Sequence, residues 1–195
     1  AVGRENPGID AVMERHGASW REAQCAVAVS LVAATTEEMT RLLRRVGRCA
    51  DAFDVSAFEV DLTAPSDQLG GRRWEHELEA ALRLIVAARD GTDRPLIAKV
   101  SPQAAELRAL AEQCGDAGAE ILSVSGSTIG FVPDRARRRS ALAAGFGELS
   151  GPLLRPLALA AVADAALATP GNAGGIVGGG GIGSPADALD FFAAG

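Results

Sequence analysis

A glycine-rich stretch near the end of the 195-residue chain has the composition of an anion-binding loop. Residues 174 to 192 read GGIVGGGGIGSPADALDFF, so consecutive glycines precede Ser184-Pro185 and a helical pattern. Glycines let the backbone approach an anion closely, and a helix start offers unpaired N–H groups and the positive end of its dipole. The pattern predicts a phosphate cradle, and the alternative is a flexible turn before a capped helix.

Polar residues also follow an apolar run earlier in the chain. Residues 58 to 68 read FEVDLTAPSDQ, with Asp61, Thr63 and Ser66 at the end of the run. Lys99 lies within a second apolar run, PLIAKV, where burying an ammonium group is costly unless a ligand or an acid faces it. Ligands of α/β proteins bind at the carboxyl ends of the strands. Lys99 is therefore expected to face either an anionic ring or a neighbouring acid such as Asp61.

The elements that would position these residues alternate along the chain. Apolar runs without strict alternation, which suit parallel strands buried on both faces, occur at 25–31, 57–62, 95–100, 120–125 and 174–179. Helical patterns lie between them, and their predicted starts are Thr35-x-x-Glu38, Ser101-Pro102 and Ser184-Pro185-x-Asp187. Strands alternating with helices predict an α/β fold.

This alternation leaves a choice between a doubly wound sheet and part of a (β/α)8 barrel. Gly178, Gly180 and Gly183 satisfy G-x-G-x-x-G, which favours a nicotinamide enzyme of the Rossmann type. That motif belongs in the first βα unit of such a fold, whereas here it comes last. A late phosphate loop is typical of a TIM barrel, which usually needs about 250 residues. We therefore predict one partial TIM barrel domain over residues 1–195, with about five of the eight βα units.

Composition narrows the classes of function. The net charge of −6 argues against a nucleic-acid partner, and no run approaches the roughly 20 apolar residues that cross a bilayer. The sequence begins without a signal-peptide pattern, so a cytoplasmic protein is expected. Cys25, Cys49 and Cys114 are far apart and are expected to be buried thiols. His16 and His76 lack metal-ligand spacing, so no metal site is expected.

Five segments, in order along the chain, carry a resemblance to a known family. They are ENPGIDAVMER, AFEVDLTAPS, PLIAKVSP, GFGELSG and IVGGGGIGSPADALDFFAAG. Together they resemble the class 1, soluble, FMN-dependent dihydroorotate dehydrogenases, whose strand E-L-N-[IL]-S-C-P-N is similar to the second segment and whose G-G-L-S-G loop is similar to the fourth. The resemblance implies a TIM barrel that is incomplete at both ends. It also implies dihydroorotate or a similar cyclic amide as substrate, and a homodimer or an electron-transfer subunit as partner.

The resemblance further implies FMN as the cofactor. Lys99 would lie beside the flavin ring. The residues near the ribityl chain and phosphate would be Ser150, Gly151, Gly179, Gly180, Gly181 and Ile182.

On the substrate side the chain departs from the family pattern. Ala64 stands at the position of the catalytic base and cannot take a proton, a loss that typically costs about 100- to 10,000-fold in rate. The family's asparagine positions are occupied by Asp61, Ser66 and Gly126, and Ser127 completes the implied substrate contacts. Three hypotheses remain open: dihydroorotate oxidation, oxidation of another cyclic amide, and flavin or phosphate binding without turnover.

Overall fold

The computed structural model describes residues 7–143, 145–169 and 174–195. Its strands are β1 (Val27–Leu31), β2 (Val55–Asp61), β3 (Leu96–Val100), β4 (Ile121–Val124), β5 (Thr128–Gly130), β6 (Pro133–Asp134), β7 (Arg139–Ser140), β8 (Gly147–Leu149) and β9 (Gly175–Gly178). Five of them form a parallel sheet in the order β1-β2-β3-β4-β9. Each of these five overlaps one of the apolar runs, as predicted.

The helices alternate with the strands of this sheet. They are α1 (Ile9–Arg21), α2 (Thr36–Ala50), α3 (Leu78–Arg89), α4 (Leu107–Ala117), α5 (Arg155–Ala168) and α6 (Pro185–Ala194). Two predicted starts are confirmed: the Thr35 side chain accepts a hydrogen bond from the backbone N–H of Glu38, and Ser184 accepts one from Asp187. Such caps satisfy N–H groups that the first helical turn leaves without partners.

The order of the strands distinguishes the two predicted architectures. Strands that follow one another along the chain also lie side by side in the five-stranded sheet. In a doubly wound sheet, the order of the strands would instead reverse at a switch point. The part of the chain that the structure describes is therefore a partial α/β barrel, and the alternative of a Rossmann-type sheet was wrong.

The hydrophobic core lies between one face of the sheet and the helices. Its fully buried members include Phe58, Val60, Leu96, Ala98 and Val100 from the strands and Met39, Leu43, Leu84 and Ile85 from the helices. Because side chains alternate along a strand, the residues between these apolar ones point to the opposite face. That face carries Glu59 and Lys99, which are half-buried.

One predicted helix start is wrong. α4 begins at Leu107, and Ser101 does not cap it. The Ser101 hydroxyl donates instead to Glu75 Oε1 (2.8 Å) and accepts from the backbone N–H of Gln103 (3.2 Å). The buried carboxylate of Glu75 therefore holds the end of β3 in an irregular turn, and α4 begins further along the chain, at Leu107.

Two antiparallel hairpins follow β4. β5 pairs with β8, and β6 pairs with β7. The exposed rings of Phe131 and Phe146 pack together near the β5–β8 pair, with their centroids 5.6 Å apart. These strands have two or three residues each, too few to produce a periodic signal in the sequence.

The prediction of three buried cysteines is correct only for Cys114, whose burial raises the pKa of its thiol. Cys25 is exposed because it lies before β1 rather than within it, and Cys49 is half-buried on α2.

Among the helices in the described ranges, none has the length and apolar character that crossing a membrane requires.

Candidate active site

The carboxyl ends of β2, β3, β4 and β9 meet along one edge of the sheet. Asp61 is in register with Lys99, Lys99 with Ser123, and Ser123 with Val177. The hydroxyls of Ser123 and Ser125 lie 2.7 Å apart. The helix-free face of the sheet thus carries a polar row at the edge where α/β barrels bind their ligands.

Lys99 pairs with two acids on β2. Its Nζ lies 3.3 Å from Glu59 Oε1 and 3.8 Å from Asp61 Oδ2, and the side chain is 24% exposed. Ser30 on β1 donates a hydrogen bond to the same Glu59 oxygen (2.6 Å). Of the two alternatives for Lys99, the pairing with the neighbouring acid Asp61 is observed, and Glu59 is a partner that the sequence did not identify. The ammonium group of Lys99 is therefore paired with two carboxylates.

Asp61 is held in a tight turn at the end of β2. Its Oδ1 accepts hydrogen bonds from the backbone N–H (2.9 Å) and the hydroxyl (2.6 Å) of Thr63. Oδ2 faces Lys99. These contacts fix the orientation of the Asp61 side chain at the middle of the edge.

The two predicted substrate-side residues after Asp61 are buried. Ala64 is fully buried and presents only a methyl group, and the hydroxyl of the fully buried Ser66 donates to the carbonyl of Ala34 (3.1 Å). The substrate role of Ser66 stays a prediction, and its hydroxyl would have to leave Ala34 to fulfil it.

Gly126 lies against the end of β3, to which it donates a hydrogen bond at the carbonyl of Val100 (2.8 Å). A Cβ atom at this position would lie 2.6 Å from Thr63 Cγ2, 2.8 Å from the Val100 carbonyl oxygen and 2.9 Å from the backbone nitrogen of Ser101. Real Cβ atoms do not approach backbone so closely. The position therefore has no room for the asparagine that the resemblance would place there.

A network centred on Arg73 and Glu75 was not predicted. Glu75 is fully buried, and its Oε2 accepts from the backbone N–H of Ser101 (2.6 Å). Arg73, 11% exposed, has Nη1 at 3.1 Å from Glu75 Oε1 and Nη2 at 3.6 Å from Glu148 Oε1. Nη1 also donates to the carbonyl of Ser127 (3.3 Å). This pair joins the loops after β2, β3 and β4 to β8.

The sequence held little sign of this network. Arg73 and Glu75 are two residues apart in a polar loop, which is typical of a solvated surface. Their partners Ser101, Ser127 and Glu148 are distant in the sequence, and only the fold brings them to the same edge.

The two predicted cofactor-binding stretches lie in contact. Gly181 has a φ of +74°, and a Cβ there would lie 2.9 Å from the Gly151 carbonyl oxygen and 2.7 Å from the backbone nitrogen of Arg155. Ser150 is exposed immediately before Gly151, whose φ is +98°. Glycine is thus required at Gly181, because a side chain would separate the loops after β8 and β9.

The loop after β9 presents backbone donors. The N–H of Gly179 donates to the carbonyl of Val124 (3.1 Å) and that of Gly183 to Asp187 Oδ2 (3.0 Å). The N–H groups of residues 180–182 have no acceptor among the described residues. Consecutive N–H groups of this kind form an anion-binding concavity. The geometry fits a phosphate, and the role of these residues stays a prediction.

Asp187 occupies the start of α6. The hydrogen bond from the Gly183 backbone, followed by that involving Ser184, lowers the pKa of its carboxyl below the ordinary value. Arg155 pairs with Asp187 and with Asp190, the latter at 3.2 Å. The N–H of Gly183 is therefore already satisfied, in contrast to the N–H groups of residues 180–182.

Comparison with known proteins agrees with this arrangement. The family model for dihydroorotate dehydrogenase matches residues 1–195. The chain is 35% identical over 197 residues to the catalytic subunit of dihydroorotate dehydrogenase B (NAD(+)) from Geotalea daltonii, and 34% identical to the catalytic subunits from Desulforudis audaxviator and Geobacter sulfurreducens. The matches include all of this chain and 62% of each relative. The chain thus spans less than two thirds of the length of these relatives.

A solved structure of a mutant mandelate oxidase with benzaldehyde has a similar fold. Its TM-score is 0.50 at 21% identity, and the match covers 92% of this chain and 55% of that one. At this identity the similarity supports the α/β barrel alone. The match of the family model to the whole sequence, together with the identity to the three catalytic subunits, leads to one conclusion: the chain belongs to the dihydroorotate dehydrogenase family.

Proposed function

We propose that this chain carries the FMN-binding edge of an oxidoreductase that converts a cyclic amide such as dihydroorotate to its unsaturated product, as in cytoplasmic pyrimidine biosynthesis. The observation that carries the proposal is the contact between the glycine loops after β8 and β9, with the N–H groups of residues 180–182 available. When bound, FMN would supply the hydride acceptor.

Each part of the edge has a distinct task in this proposal. The N–H groups of residues 180–182 hold the phosphate, and the small residues Ser150 and Gly151 allow the ribityl chain to approach the backbone. Lys99 lies at the middle of the sheet, where its ammonium group would face the flavin ring. The substrate ring would bind near Asp61 and Ser127, at the ends of β2 and β4.

Proton removal from the substrate lacks a side-chain base at the position that the family resemblance assigns to it. Ala64 has no titratable group, so the proton needs another acceptor. Asp61 is three residues away, and its backbone carbonyl accepts from the N–H of Ala64 (3.4 Å). We propose the Asp61 carboxylate as that acceptor.

A second candidate function is flavin or phosphate binding without turnover. Two observations favour it: the methyl group of Ala64 at the base position, and the absence of room for an amide side chain at Gly126. This candidate retains the glycine-loop site and differs only in the chemistry at the ends of β2 and β4.

The names of the relatives suggest a partner. The three similar proteins are catalytic subunits of an NAD(+)-linked enzyme. We propose that this chain likewise works with an electron-transfer subunit that reoxidises its flavin. A homodimer is the other arrangement that the family resemblance suggests.

The test compares FMN with riboflavin, which lacks the phosphate. FMN is titrated against the chain by flavin fluorescence, and dihydroorotate is then added anaerobically. We expect FMN to bind at least about tenfold more tightly than riboflavin, because charge-assisted bonds to phosphate are strong. Bleaching of the bound flavin supports oxidation of dihydroorotate. Bound flavin that stays oxidised favours the second candidate, and equal affinity for both flavins contradicts the phosphate site.

A further inference from the structure

Lys99 is the only lysine of the chain, and its side chain needs support to keep a defined position. A lysine ammonium group is a point charge on a flexible four-carbon stem, without the rigid fork of an arginine. Its location therefore depends on the groups that the nitrogen contacts. The nearer of its two carboxylate contacts is Glu59 Oε1, at 3.3 Å.

Glu59 is held in turn by β1. Ser30 is in register with Glu59, and its hydroxyl donates a hydrogen bond to Oε1 at 2.6 Å. The same oxygen therefore accepts from Ser30 and faces the ammonium group of Lys99. Hydrogen bonds to an ionised group are short and strong, so this contact fixes the carboxylate. Three neighbouring strands thus contribute to one series of contacts, Ser30–Glu59–Lys99.

This series differs from an ion pair on the protein surface. In the pair of Arg83 with Glu79 on α3, the side chains are 64% and 89% exposed, and such pairs contribute little because water solvates both partners. The side chains of Lys99 and Glu59 are 24% and 18% exposed, on the helix-free face of the sheet. A group that faces a ligand is kept in place by the hydrogen bonds of the side chains behind it. Glu59 and Ser30 occupy that supporting place relative to Lys99.

We infer that Glu59 is the positioning residue of Lys99 and that Ser30 supports it, so that the ammonium group is held toward the flavin ring and its charge is partly offset. This inference rests on the proposed function and adds two residues to it. A flavin ring gains negative charge when it is reduced, so a nearby ammonium group favours the reduced form and a nearby carboxylate opposes it. Removing the charge of Glu59 should therefore make the bound flavin easier to reduce.

The first measurement uses the chain without flavin. Because Lys99 is the only lysine, its acetylation by an N-hydroxysuccinimide ester can be followed by peptide mass spectrometry, separately from the amino terminus. We expect acetylation to be about three- to tenfold faster in Glu59→Gln and about twofold faster in Ser30→Ala, because the ion pair must open before the nitrogen reacts. Glu79→Gln and Ser56→Ala are the matched controls at exposed positions on α3 and β2, and they should leave the rate unchanged.

The second measurement is the reduction potential of the FMN-loaded chain, obtained by titration against a reference dye. At a fixed potential, the ratio of reduced to oxidised flavin should rise about tenfold in Glu59→Gln and fall in Lys99→Met. Ser30→Ala should act in the same direction as Glu59→Gln with a smaller effect. Because Ser30 is exposed, its variant decides the matter if Glu59→Gln fails to fold. A merely structural role of Glu59 would lower the melting temperature without moving the potential.

The outcomes separate this inference from the proposed function. Unchanged acetylation of Lys99 in Glu59→Gln and Ser30→Ala overturns the inference even when FMN binds. Faster acetylation with an unchanged flavin potential also overturns it, because Glu59 then has no effect on the flavin through Lys99. A chain that binds no FMN contradicts the proposed function, and the acetylation rates still decide whether Glu59 positions Lys99.

Discussion

The glycine loops after β8 and β9 and the ends of β2 and β3 lie on the same edge of the sheet, but they are built differently. The glycine loops are shaped by backbone contacts, such as the approach of Gly181 to Gly151. The ends of β2 and β3 are shaped by charged side chains, such as Lys99 between Glu59 and Asp61. The loops match the family motif closely, whereas the strand ends depart from it.

The difference shows how each kind of site tolerates change. A backbone site fails when any side chain intrudes, so its glycines have few substitutes. A site made of side chains can exchange its groups, provided that each buried charge keeps a partner. The same barrel edge can thus keep one ligand site and alter the other. The following substitutions test that distinction.

The largest effect is expected from Glu75→Ala. It removes the buried partner of Arg73 and the acceptor for both the N–H and the hydroxyl of Ser101. Breaking a buried pair typically costs about 3–5 kcal/mol, and we expect a loss of that order in urea unfolding. Glu79→Ala, at an exposed position on α3, should change stability by less than about 0.5 kcal/mol. Equal unfolding midpoints for both variants would show that the network contributes nothing.

The next effect concerns the backbone site. Gly181→Ala places a Cβ 2.7 Å from the backbone nitrogen of Arg155 at a φ of +74°, so the loops must separate. We expect the affinity for FMN to fall about 10- to 100-fold in a fluorescence titration. Gly183→Ala is the control, because its nearest neighbour would be Asp187 Oδ2 at 3.7 Å. Similar losses in both variants would argue against a specific cradle at Gly181.

A smaller effect is expected where the family asparagine is restored. Gly126→Asn should lower stability by about 1–3 kcal/mol, because its Cβ meets Thr63 and the backbone of β3. It should bring no gain in orotate binding. Gly130→Asn is the matched control, since its nearest atoms would lie 3.8 Å away. Tighter orotate binding by the Gly126 variant would show that the substrate side can be restored by one change.

The smallest effect is a dependence of stability on pH in the acid range. Because the folded-state pKa of Asp187 lies below its ordinary value of 3.8, its stabilising effect is fully present above about pH 4. It is lost as the pH falls through the folded-state pKa. Melting temperatures between pH 3 and pH 6 should therefore decline less steeply at the acid end for Asp187→Asn than for Asp190→Asn. Asp190 shares the Arg155 contact but does not accept from Gly183, so identical profiles would assign the effect to the ion pair.

Local signals predicted the elements of the sheet and part of the site. The five strands and the caps at Thr35 and Ser184 depend on neighbours within a few residues, which the sequence displays directly. The pairing of Lys99 with Asp61 was one of two alternatives that the sequence left open, and it follows from the register of the adjacent parallel strands β2 and β3. The contact between Gly151 and Gly181 was implied only by the family resemblance.

What could not be predicted depends on partners that only the fold brings together. Ser101 was interpreted as a helix cap because the acid that binds it, Glu75, is 26 residues away. The lack of space at Gly126 arises from Thr63, in the loop after β2, and from Val100, the last residue of β3. The hairpin strands β5 to β8 are too short for periodicity to reveal them.

Arg73 has a consequence for how this protein can evolve. Barrel enzymes commonly acquire new substrates by altering individual loops on a constant scaffold. Here the Arg73–Glu75 pair connects the loop after β2 to Ser101, Ser127 and Glu148, so these segments cannot vary independently. A change in one requires compatible changes in the others. Among descendants of this sequence, the members of the network should be retained or replaced as a set.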